Sequence, residues 1–343
     1  MRILIDVLHP AHVHFFRHFR TSMLERGHEV VVTARDKDLT LPLLGSLEIP
    51  AEVLSTQRRG RLGLARELLS RTRRLTRLAR ETRPDVMVGI MGPSIALAGR
   101  RLRIPAVVFY DTENAGRTNR WVYPMAAAVC TPDCYRGRVR GNHITYPSYH
   151  ELAYLHPDRF TPDPAALGRA GLEPGEPYSL VRFVGWQASH DIGEAGLGGD
   201  AKRRLIHRLQ EEGRVLISSE APLPEDLAAH AYTAPVEDVH HLIALSRIVV
   251  GESATMASEA AVLGIPALYV ADTGRGYVQE QQDRYGLVRH THPGDEAETL
   301  AALDGLLAMG GDDLAARRAR LLADKIDPTP WMVEFIEGRR WER

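Results

Sequence analysis

The sequence lacks most of the features that would classify it by composition alone. It has only two cysteines, Cys130 and Cys134, with no second pair nearby, which is a poor pattern for a disulfide framework or a zinc site. We interpret both as incidental and expect a reducing compartment. No apolar run approaches the roughly 20 residues that span a bilayer. The apolar stretch after Met1 is too short for a signal peptide, so we predict a cytoplasmic protein.

A strong excess of charge of either sign is also absent. Lys and Arg number 43 against 44 Asp and Glu, for a formal net charge of -1. No overall field draws the chain to nucleic acid, and no nucleic-acid partner is expected. The chain does have length: 343 residues, 44% of them hydrophobic, exceed the usual size of one core. Two domains are therefore predicted.

Short apolar runs alternate with segments of helical period, which is typical of a parallel sheet with crossover helices. In the first half, this pattern predicts strands at 3–8, 29–33, 85–89, 105–110 and 126–131. In the second half, it predicts strands at 178–184, 214–219, 247–251 and 266–270. The fold class is therefore α/β, with two Rossmann-like doubly wound domains.

A proline-rich stretch separates the two halves. Residues 143–177 contain six prolines, which indicates an irregular connection between domains. We place the domains at 1–165 and 166–326. A last helix at 327–343 opens with Pro-Thr-Pro, and we expect it to cross back to the N-terminal domain.

The best candidate ligand site follows the strand predicted at 247–251. Ligands of open α/β sheets bind beyond the carboxyl ends of the strands. Residues 251–255 join this strand to a helix, whose first N–H groups and dipole would suit a diphosphate. Ser253 and Thr255 can add hydroxyl donors, and Glu259 lies where a carboxylate could accept from ribose hydroxyls. The alternative is that a hydroxyl there only caps a structural helix.

The same region resembles the nucleotide-binding block of UDP-N-acetylglucosamine 2-epimerases and related GT-B transferases. That block reads as a helix, a short strand, Asp-Ser-Gly-Gly, Glu-Ala and Leu-Gly-x-Pro, and residues 234–268 follow its order and spacing. The resemblance implies that Ser253 and its neighbours bind the diphosphate and that Glu259 binds the ribose. Ala254 and Thr255 replace the Gly-Gly pair, and their side chains narrow the approach of the backbone to phosphate.

The chain as a whole resembles an uncharacterised family of GT-B-like proteins, starting with Asp-Val-Leu-His-Pro-Ala-His-Val-His-Phe-Phe from Asp6. This resemblance implies a GT-B fold, in which two Rossmann-like domains face a cleft. The C-terminal domain would hold a nucleotide-sugar, and the N-terminal domain would supply the acceptor and catalytic groups.

Arg182 and Ser218 end two further predicted strands of the second half. The position of Arg182 resembles the start of the epimerase His-Arg-Arg-Glu-Asn loop, whose arginine contacts phosphate, although the rest of that motif is absent. The resemblance implies a phosphate contact, and a structural ion pair is the alternative. Ser218 would face the same cleft by topology. The glycines at 193, 196, 198 and 199 form a loop without the Lys-Ser/Thr ending of a Walker-type phosphate loop.

Histidines follow the first strand. His12 and His14 could bind a metal, supply acid/base or acceptor contacts, or cap the first helix. No further His/Asp ligand set recurs at later strand ends, and no metal is expected. GT-B enzymes place acceptor groups in this first loop, so the resemblance implies a catalytic role for His12 and an acceptor-side position for His14. Ser94, which opens a helix after the strand at 85–89, is a further acceptor-side candidate.

Residues 111–120 resemble the epimerase stretch Val-Glu-Ala-Gly-Leu-Arg, which leads on to Asn-Arg. By this resemblance, Glu113 matches a residue implicated in acid/base work and Asn119 matches the later asparagine on the acceptor side. A carboxylate in an interdomain cleft can have its pKa raised toward the working range, which suits a general base. An ion pair of Glu113 with Arg117 or Arg120 is the alternative.

The segment 57–84 carries ten arginines against two acids. Its small and apolar residues recur at i+3 and i+4, which predicts an amphipathic helix with a basic outer face. The inner face is assigned to Ala65, Leu68, Leu69, Thr72, Leu75, Thr76 and Ala79. The outer face is either simply solvated or docks on anionic lipid headgroups, as a lipid-linked acceptor would need. Nucleic acid is a poorer match, because the helix lacks interleaved aromatics.

These features together predict a glycosyltransferase that moves a sugar from a nucleotide-sugar, UDP-linked, to an unidentified acceptor. The nucleotide-sugar is a substrate, and no cofactor is expected. A non-hydrolysing nucleotide-sugar 2-epimerase is the first alternative, although two epimerase motifs are altered or missing. A nucleotide-sugar-binding protein without turnover is the second.

Overall fold

The computed structural model describes residues 1–58, 60–113, 116–184 and 196–342, without the side chains of 61 and 116–118. Arg59 of the basic segment and Gly193 of the glycine-rich loop thus lie outside the described residues. The chain divides into two compact units. Unit 1 comprises Met1–Tyr154 and Ile326–Arg343, and unit 2 comprises Leu155–Lys325.

Unit 1 contains a seven-stranded sheet in which every neighbouring pair of strands is parallel. Its strands are β1 (Arg2–Val7), β2 (Glu29–Asp36), β3 (Glu52–Thr56), β4 (Val86–Ile90), β5 (Ala106–Phe109), β6 (Ala128–Pro132) and β7 (His143–Tyr146). Their order across the sheet is β3-β2-β1-β4-β5-β6-β7. The order reverses between β1 and β4, which is the topological switch point of a Rossmann-like sheet.

Helices connect these strands. They are α1 (Pro10–Glu25), α2 (Thr40–Ser46), α3 (Gly60–Thr82), α4 (Pro93–Leu102), α5 (Gly116–Val122), α6 (Leu152–Leu155) and, from the end of the chain, α14 (Pro328–Glu337). Short 3-10 helices lie at Tyr123–Met125 and Arg340–Glu342. Proline at the first helical position and the Nδ1 of His9, which accepts from the backbone N–H of Ala11 at 3.2 Å, start α1.

The C-terminal helix α14 packs within unit 1. Asp327 caps it by accepting from the N–H of Thr329 at 2.8 Å. The ring of Trp331 lies 4.7 Å from that of Tyr146 and 5.0 Å from that of Phe335, centroid to centroid. These aromatic contacts bury the apolar face of α14 against the edge of the unit 1 sheet.

Unit 2 contains a five-stranded parallel sheet in the order β12-β11-β10-β8-β9. Its strands are β8 (Tyr178–Phe183), β9 (Arg214–Ser219), β10 (Ile248–Gly251), β11 (Ala267–Val270) and β12 (Val288–Thr291). A single parallel bridge between Ile217 and Ala231 adds to the β9 edge. The topology is again doubly wound, with the switch point between β8 and β10.

The helices of unit 2 are α7 (Ala165–Arg169), α8 (Gly199–Gln210), α9 (Val239–Leu245), α10 (Ala254–Leu263), α11 (Gly276–Glu280), α12 (Glu296–Leu307) and α13 (Gly311–Asp324). Short 3-10 helices lie at Glu225–His230 and Val236–Asp238, and a π-helical turn at Gln281–Tyr285. The two parallel α/β units confirm the predicted fold class.

The sequence analysis did not predict three of the strands that the structure describes. β3, β7 and β12 are edge strands of four or five residues that lack a long apolar run. In β7, for example, only Tyr146 is buried, and the strand lies in the stretch for which we predicted an irregular connection. An edge strand has one neighbour, and its sequence needs little hydrophobicity.

The predicted inner face of α3 is confirmed for Leu75, Thr76 and Ala79, which are buried, and is wrong for two other residues. Ala65 and Leu69 are exposed, whereas Glu67 and Arg71 are buried. Arg71 forms a buried ion pair with Asp6 at the end of β1, and this pairing turns a charged stripe of the helix toward the sheet.

Within the part of the chain that the structure describes, no helix has the length and apolar character needed to cross a membrane.

Candidate functional site

The turn from β10 to α10 is built around a glycine. Gly251 has φ +147°, and a Cβ there would lie 2.1 Å from the carbonyl oxygen of Arg182. Only glycine fits this close approach of two strands. Ser253 is the N-cap of α10, and its Oγ accepts from the N–H of Met256 at 3.3 Å. The structure thus places a capped, ten-residue helix directly after the strand.

The first turn of α10 is partly open to solvent. Ser253, Ala254 and Thr255 are all half-buried, whereas most of the rest of the helix, from Ala257 to Leu263, is buried. A helix start with accessible backbone N–H groups and a positive dipole end can bind an anion. The capping role considered for Ser253 and an anion site next to it are compatible, because the cap uses only one N–H group.

Glu252, which the sequence analysis did not assign, is a central residue of this turn. Its side chain is fully buried and accepts from the N–H of Val184 and the N–H of Leu197, each at 2.8 Å. The ammonium group of Lys202 lies 3.3 Å from the same carboxylate and 4.3 Å from the ring centroid of Phe183. The available signal was the acid before the N-cap serine, at the position of the aspartate in Asp-Ser-Gly-Gly.

Glu259 is buried within unit 2 and only 6% exposed. The Nε2 of His240, on α9, lies 3.0 Å from its Oε1. The helix α10 therefore presents this carboxylate to another buried titratable side chain. Its predicted role as a ribose ligand stays a prediction.

Arg182 is the penultimate residue of β8, at the carboxyl edge of the sheet, and is partly exposed. It donates to the Oγ of Ser218 at 2.7 Å and to the Oε1 of Glu220 at 2.7 Å. Arg182 and Ser218, both predicted to bind the nucleotide, are therefore in contact. The ion pair considered as the alternative role of Arg182 is also present, with Glu220 as the partner. These bonds use two of the five guanidinium N–H donors of Arg182.

Three polar residues meet at the carboxyl edge of the unit 1 sheet. The Oδ2 of Asp111, after β5, lies 3.1 Å from the Nδ1 of His150, and its Oδ1 accepts from Thr112 at 3.0 Å. His12 is the neighbouring third group, and its Nδ1 accepts from the N–H of Leu8 at 3.2 Å. The sequence analysis selected His12 but neither Asp111 nor His150.

Burial and charge set the protonation of this cluster. Burial lowers the pKa of His12 to about 3, although the charge of Asp111 opposes the shift. The pKa of Asp111 falls to about 2: its burial acts in the opposite direction, and the interactions with His150, Thr112 and His12 outweigh it. At neutral pH the cluster therefore holds a carboxylate and an uncharged His12.

The other candidates of unit 1 are distributed around this edge. Glu113 accepts from the N–H of Arg136 at 3.1 Å, while residues 114–115 and the side chain of Arg117 lie outside the described part of the chain. Asn119 is buried. Their functional assignments stay predictions.

Ser94 and His14 are also buried. The Oγ of Ser94 accepts from Thr72 of α3 at 3.4 Å. The ring of His14 stacks on Tyr154, with centroids 5.1 Å apart. The helix-capping role considered for His12 and His14 belongs to His9 instead.

Part of the chain matches a known family. Residues 13–171 match the family model of the glycosyl transferase 4-like domain. No curated protein matches the chain. Among solved structures, S. aureus MnaA in a co-structure with UDP is 12% identical, with a TM-score of 0.72 over 98% of this chain and 96% of that chain.

Two further solved structures represent different enzymes. The UDP-GlcNAc 2-epimerase from Neisseria meningitidis, bound to UDP-GlcNAc, is 11% identical with a TM-score of 0.65, over 98% of this chain and 100% of that chain. The spinosyn rhamnosyltransferase SpnG, complexed with spinosyn aglycone, is 14% identical with a TM-score of 0.62, over 99% and 100%. Residues 13–171 of this chain thus match the glycosyl transferase 4-like domain. The chain is a GT-B-like protein, akin in fold to the UDP-N-acetylglucosamine 2-epimerases.

Proposed function

We propose that the protein is a glycosyltransferase that transfers a sugar from a UDP-linked donor to an acceptor hydroxyl. The observation that carries the proposal is the half-open, Ser253-capped start of α10, directly after Gly251 in a Rossmann-like unit. Its likeness in fold to MnaA, which was solved with UDP, supports a uridine diphosphate as the ligand. The match of residues 13–171 to a glycosyl transferase domain supports transfer as the reaction.

The donor would bind to unit 2. Its diphosphate would accept from the first N–H groups of α10 near Ser253, Ala254 and Thr255, with Arg182 as the cationic partner. Glu259 would accept from the ribose hydroxyls. The same helix start and arginine would stabilise the negative charge on the departing diphosphate.

The acceptor and its proton would be handled by unit 1. His12 and Glu113 are proposed as the reacting side chains, with His14, Ser94 and Asn119 on the acceptor side. A pKa of about 3 makes His12 a poor proton acceptor at neutral pH. We therefore assign His12 as a hydrogen-bond donor through Nε2.

The second candidate is a nucleotide-sugar 2-epimerase, which the likeness in fold to the Neisseria enzyme favours. Such an enzyme would use the same donor site but would remove a proton from the sugar. A protein that only binds the nucleotide-sugar is the third outcome, in which saturable binding occurs without turnover.

Thermal-shift and calorimetric titrations with UDP, other nucleoside diphosphates and their sugars would test the donor site. UDP should stabilise the wild type more than Glu259→Ala, because bound ligand adds to the free energy of unfolding. Glu225→Ala, at an exposed acid of the same unit, is the matched control and should keep the wild-type response. Equal responses of wild type and E259A would contradict this donor site.

The same tubes can separate the reactions. Free UDP that accumulates only when acceptor is present indicates transfer, and a C2 epimer of the sugar indicates epimerisation. Because the acceptor is unidentified, the first screen uses simple alcohols and a lipid phosphate. UDP binding with neither product supports the binding protein.

We also propose that α3 docks on an anionic lipid surface, through the segment 57–84. Leu62 and Leu69 are 77% and 58% exposed, and they lie two turns apart on one face. The exposed Arg66 and Arg73 flank them. Leucines that insert among headgroups, surrounded by arginines, are typical of an interfacial helix and would suit a lipid-linked acceptor.

A further inference from the structure

His150 contains a buried nitrogen that the rest of the described chain leaves without a partner. The residue is 6% exposed, and its ring packs 4.3 Å from that of Phe15, centroid to centroid. Its Nδ1 faces the carboxylate of Asp111 at 3.1 Å. Its Nε2 is buried and has no hydrogen-bond partner among the described residues. Such a group usually has a ligand or water as its partner.

The other members of the cluster cannot serve equally well as proton acceptors. The Nδ1 of His12 accepts from the N–H of Leu8, and the hydrogen of its neutral ring is therefore on Nε2. Both oxygens of Asp111 are engaged, one by Thr112 and one by His150. His150 is thus the member with a ring nitrogen still available.

We propose that His150, oriented by Asp111, is a further acid–base residue of unit 1, and that its Nε2, in place of Glu113, takes the proton of the acceptor hydroxyl. Asp111 keeps the hydrogen of the neutral ring on Nδ1, which leaves the lone pair on Nε2. This inference rests on the proposed transfer reaction.

Proton transfer to His150 would accompany formation of the new glycosidic bond. The acceptor oxygen forms a bond to C1 of the donor sugar while its proton moves to Nε2 of His150. The bond between C1 and the diphosphate oxygen breaks, and UDP leaves with the electron pair. The proton on His150 later passes to solvent.

Several charged or titratable groups face this cluster. Asp111 contacts His150 from the loop after β5, and His12 faces the pair from α1. Lys37, after β2, and Arg71, on α3, act on His12. Glu151 follows His150 in the chain. The pH profile of the reaction therefore reflects the protonation of the whole cluster. Variants at two of its positions are needed to assign that profile to one residue.

The kinetic test compares His150→Gln, Asp111→Asn and the control His143→Gln over a range of UDP-sugar concentrations up to saturation. Removing a general base typically costs about 10²–10⁴-fold in rate. We expect a kcat loss of this size for H150Q, with the KM for the donor unchanged, and a smaller loss for D111N. The fall of wild-type kcat at acid pH should disappear in H150Q and persist in H143Q. An H150Q variant that keeps this fall and loses less than about 10-fold overturns the proposal.

A measurement on the wild type avoids any failure of the variants to fold. The ¹⁵N spectrum of the histidine rings should show His150 as the Nδ1–H tautomer and His12 as the Nε2–H tautomer at neutral pH. Assignment would use the spectra of H150Q and His12→Gln. A hydrogen on Nε2 of His150 overturns the proposal with or without turnover. Wild-type protein that releases no UDP with any donor contradicts the proposed function, while the tautomer still decides whether His150 has an available lone pair.

Discussion

The ammonium group of Lys202 lies 3.3 Å from the carboxylate of Glu252, whose side chain is fully buried. The same carboxylate accepts from the backbone N–H groups of Val184 and Leu197. One side chain therefore joins the end of β8, the approach to α8 and the residue before the N-cap of α10. A buried carboxylate with three donors positions these backbones strongly, because each donor would otherwise be buried without a partner.

Glu252→Gln should therefore destabilise the protein by about 3–5 kcal/mol, the usual cost of breaking a buried ion pair. The amide NH₂ of glutamine would face donors, and Lys202 would lose its counter-charge. Urea unfolding would measure the change. Glu296→Gln, in the exposed ion pair of Glu296 with Arg204, is the matched control and should cost about 0–1 kcal/mol. Similar costs for both variants would contradict the central position of Glu252.

Gly251→Ala should destabilise the protein by about 3 kcal/mol or more, because the new Cβ would meet the Arg182 carbonyl at a positive φ. Gly305→Ala is the control. Gly305 lies within α12, and a Cβ there meets nothing within 4 Å. That variant should stabilise by about 0.5–1 kcal/mol. Thermal unfolding of both variants would check the contrast, and a neutral G251A would refute the close approach.

His240→Ala should weaken UDP binding by about 10-fold, equivalent to ~1.4 kcal/mol. His240 contacts the carboxylate of Glu259 at 3.0 Å, and its removal would leave that proposed ribose ligand less well oriented. Isothermal titration calorimetry would measure the affinity. His241→Ala, at the adjacent residue that stacks on Phe160, serves as the control. If UDP affinity is the same in both variants, the pairing does not position Glu259 for the nucleotide.

The free energy of unfolding should decrease as the pH falls, because folding lowers the pKa values of His12 and Asp111. Between about pH 6.5 and pH 3, the unfolded chain takes up a proton on His12 that the folded chain excludes, and the free energy of unfolding decreases as pH falls. The pKa of Asp111, about 2, lies below its unfolded value of 3.8, and its stabilisation is lost over the lower range. Both effects have the same sign.

His12→Asn should remove the first effect and make stability less dependent on pH between about pH 6.5 and pH 4.5. Urea titrations across this range would show it. The control His207→Asn, at an exposed position of α8, should keep the wild-type slope. An unchanged slope in H12N would contradict a depressed pKa for His12.

Leu62→Ser with Leu69→Ser should reduce sedimentation of the protein with vesicles of phosphatidylserine and phosphatidylcholine. The two leucines provide the exposed apolar surface of α3, and burial of each gives roughly 1.5–3 kcal/mol. Leu39→Ser, at another half-exposed leucine of unit 1, is the control. Wild-type protein that fails to sediment with anionic vesicles would contradict the lipid-docking proposal.

Local sequence was sufficient for most of the elements that form the two sheets. The apolar run of β1, the aromatic residues of α1 and the order of strand, turn and helix around Gly251 each have a short-range signal. The N-cap at Ser253 is a local hydrogen bond, and it could be predicted from residue type and position alone. The short edge strands β3, β7 and β12 could not be predicted, because pairing with a single neighbour places few demands on sequence.

The candidate sites were predictable only in part. Sequence located the turns and selected His12, Arg182 and Glu259, but it could not show that Glu252 is buried or that Asp111 pairs with His150. Those partners lie far apart in the chain. Their pairing depends on which strands become neighbours.

The sequence by itself determined two parallel α/β units and a capped helix start after β10, because hydrophobic period and capping act over a few residues. The tertiary structure alone decided which charged groups are desolvated, including the inward turn of Arg71 toward Asp6. Burial removes water from a charge, and its cost or benefit depends on partners that only the completed fold brings within hydrogen-bond distance.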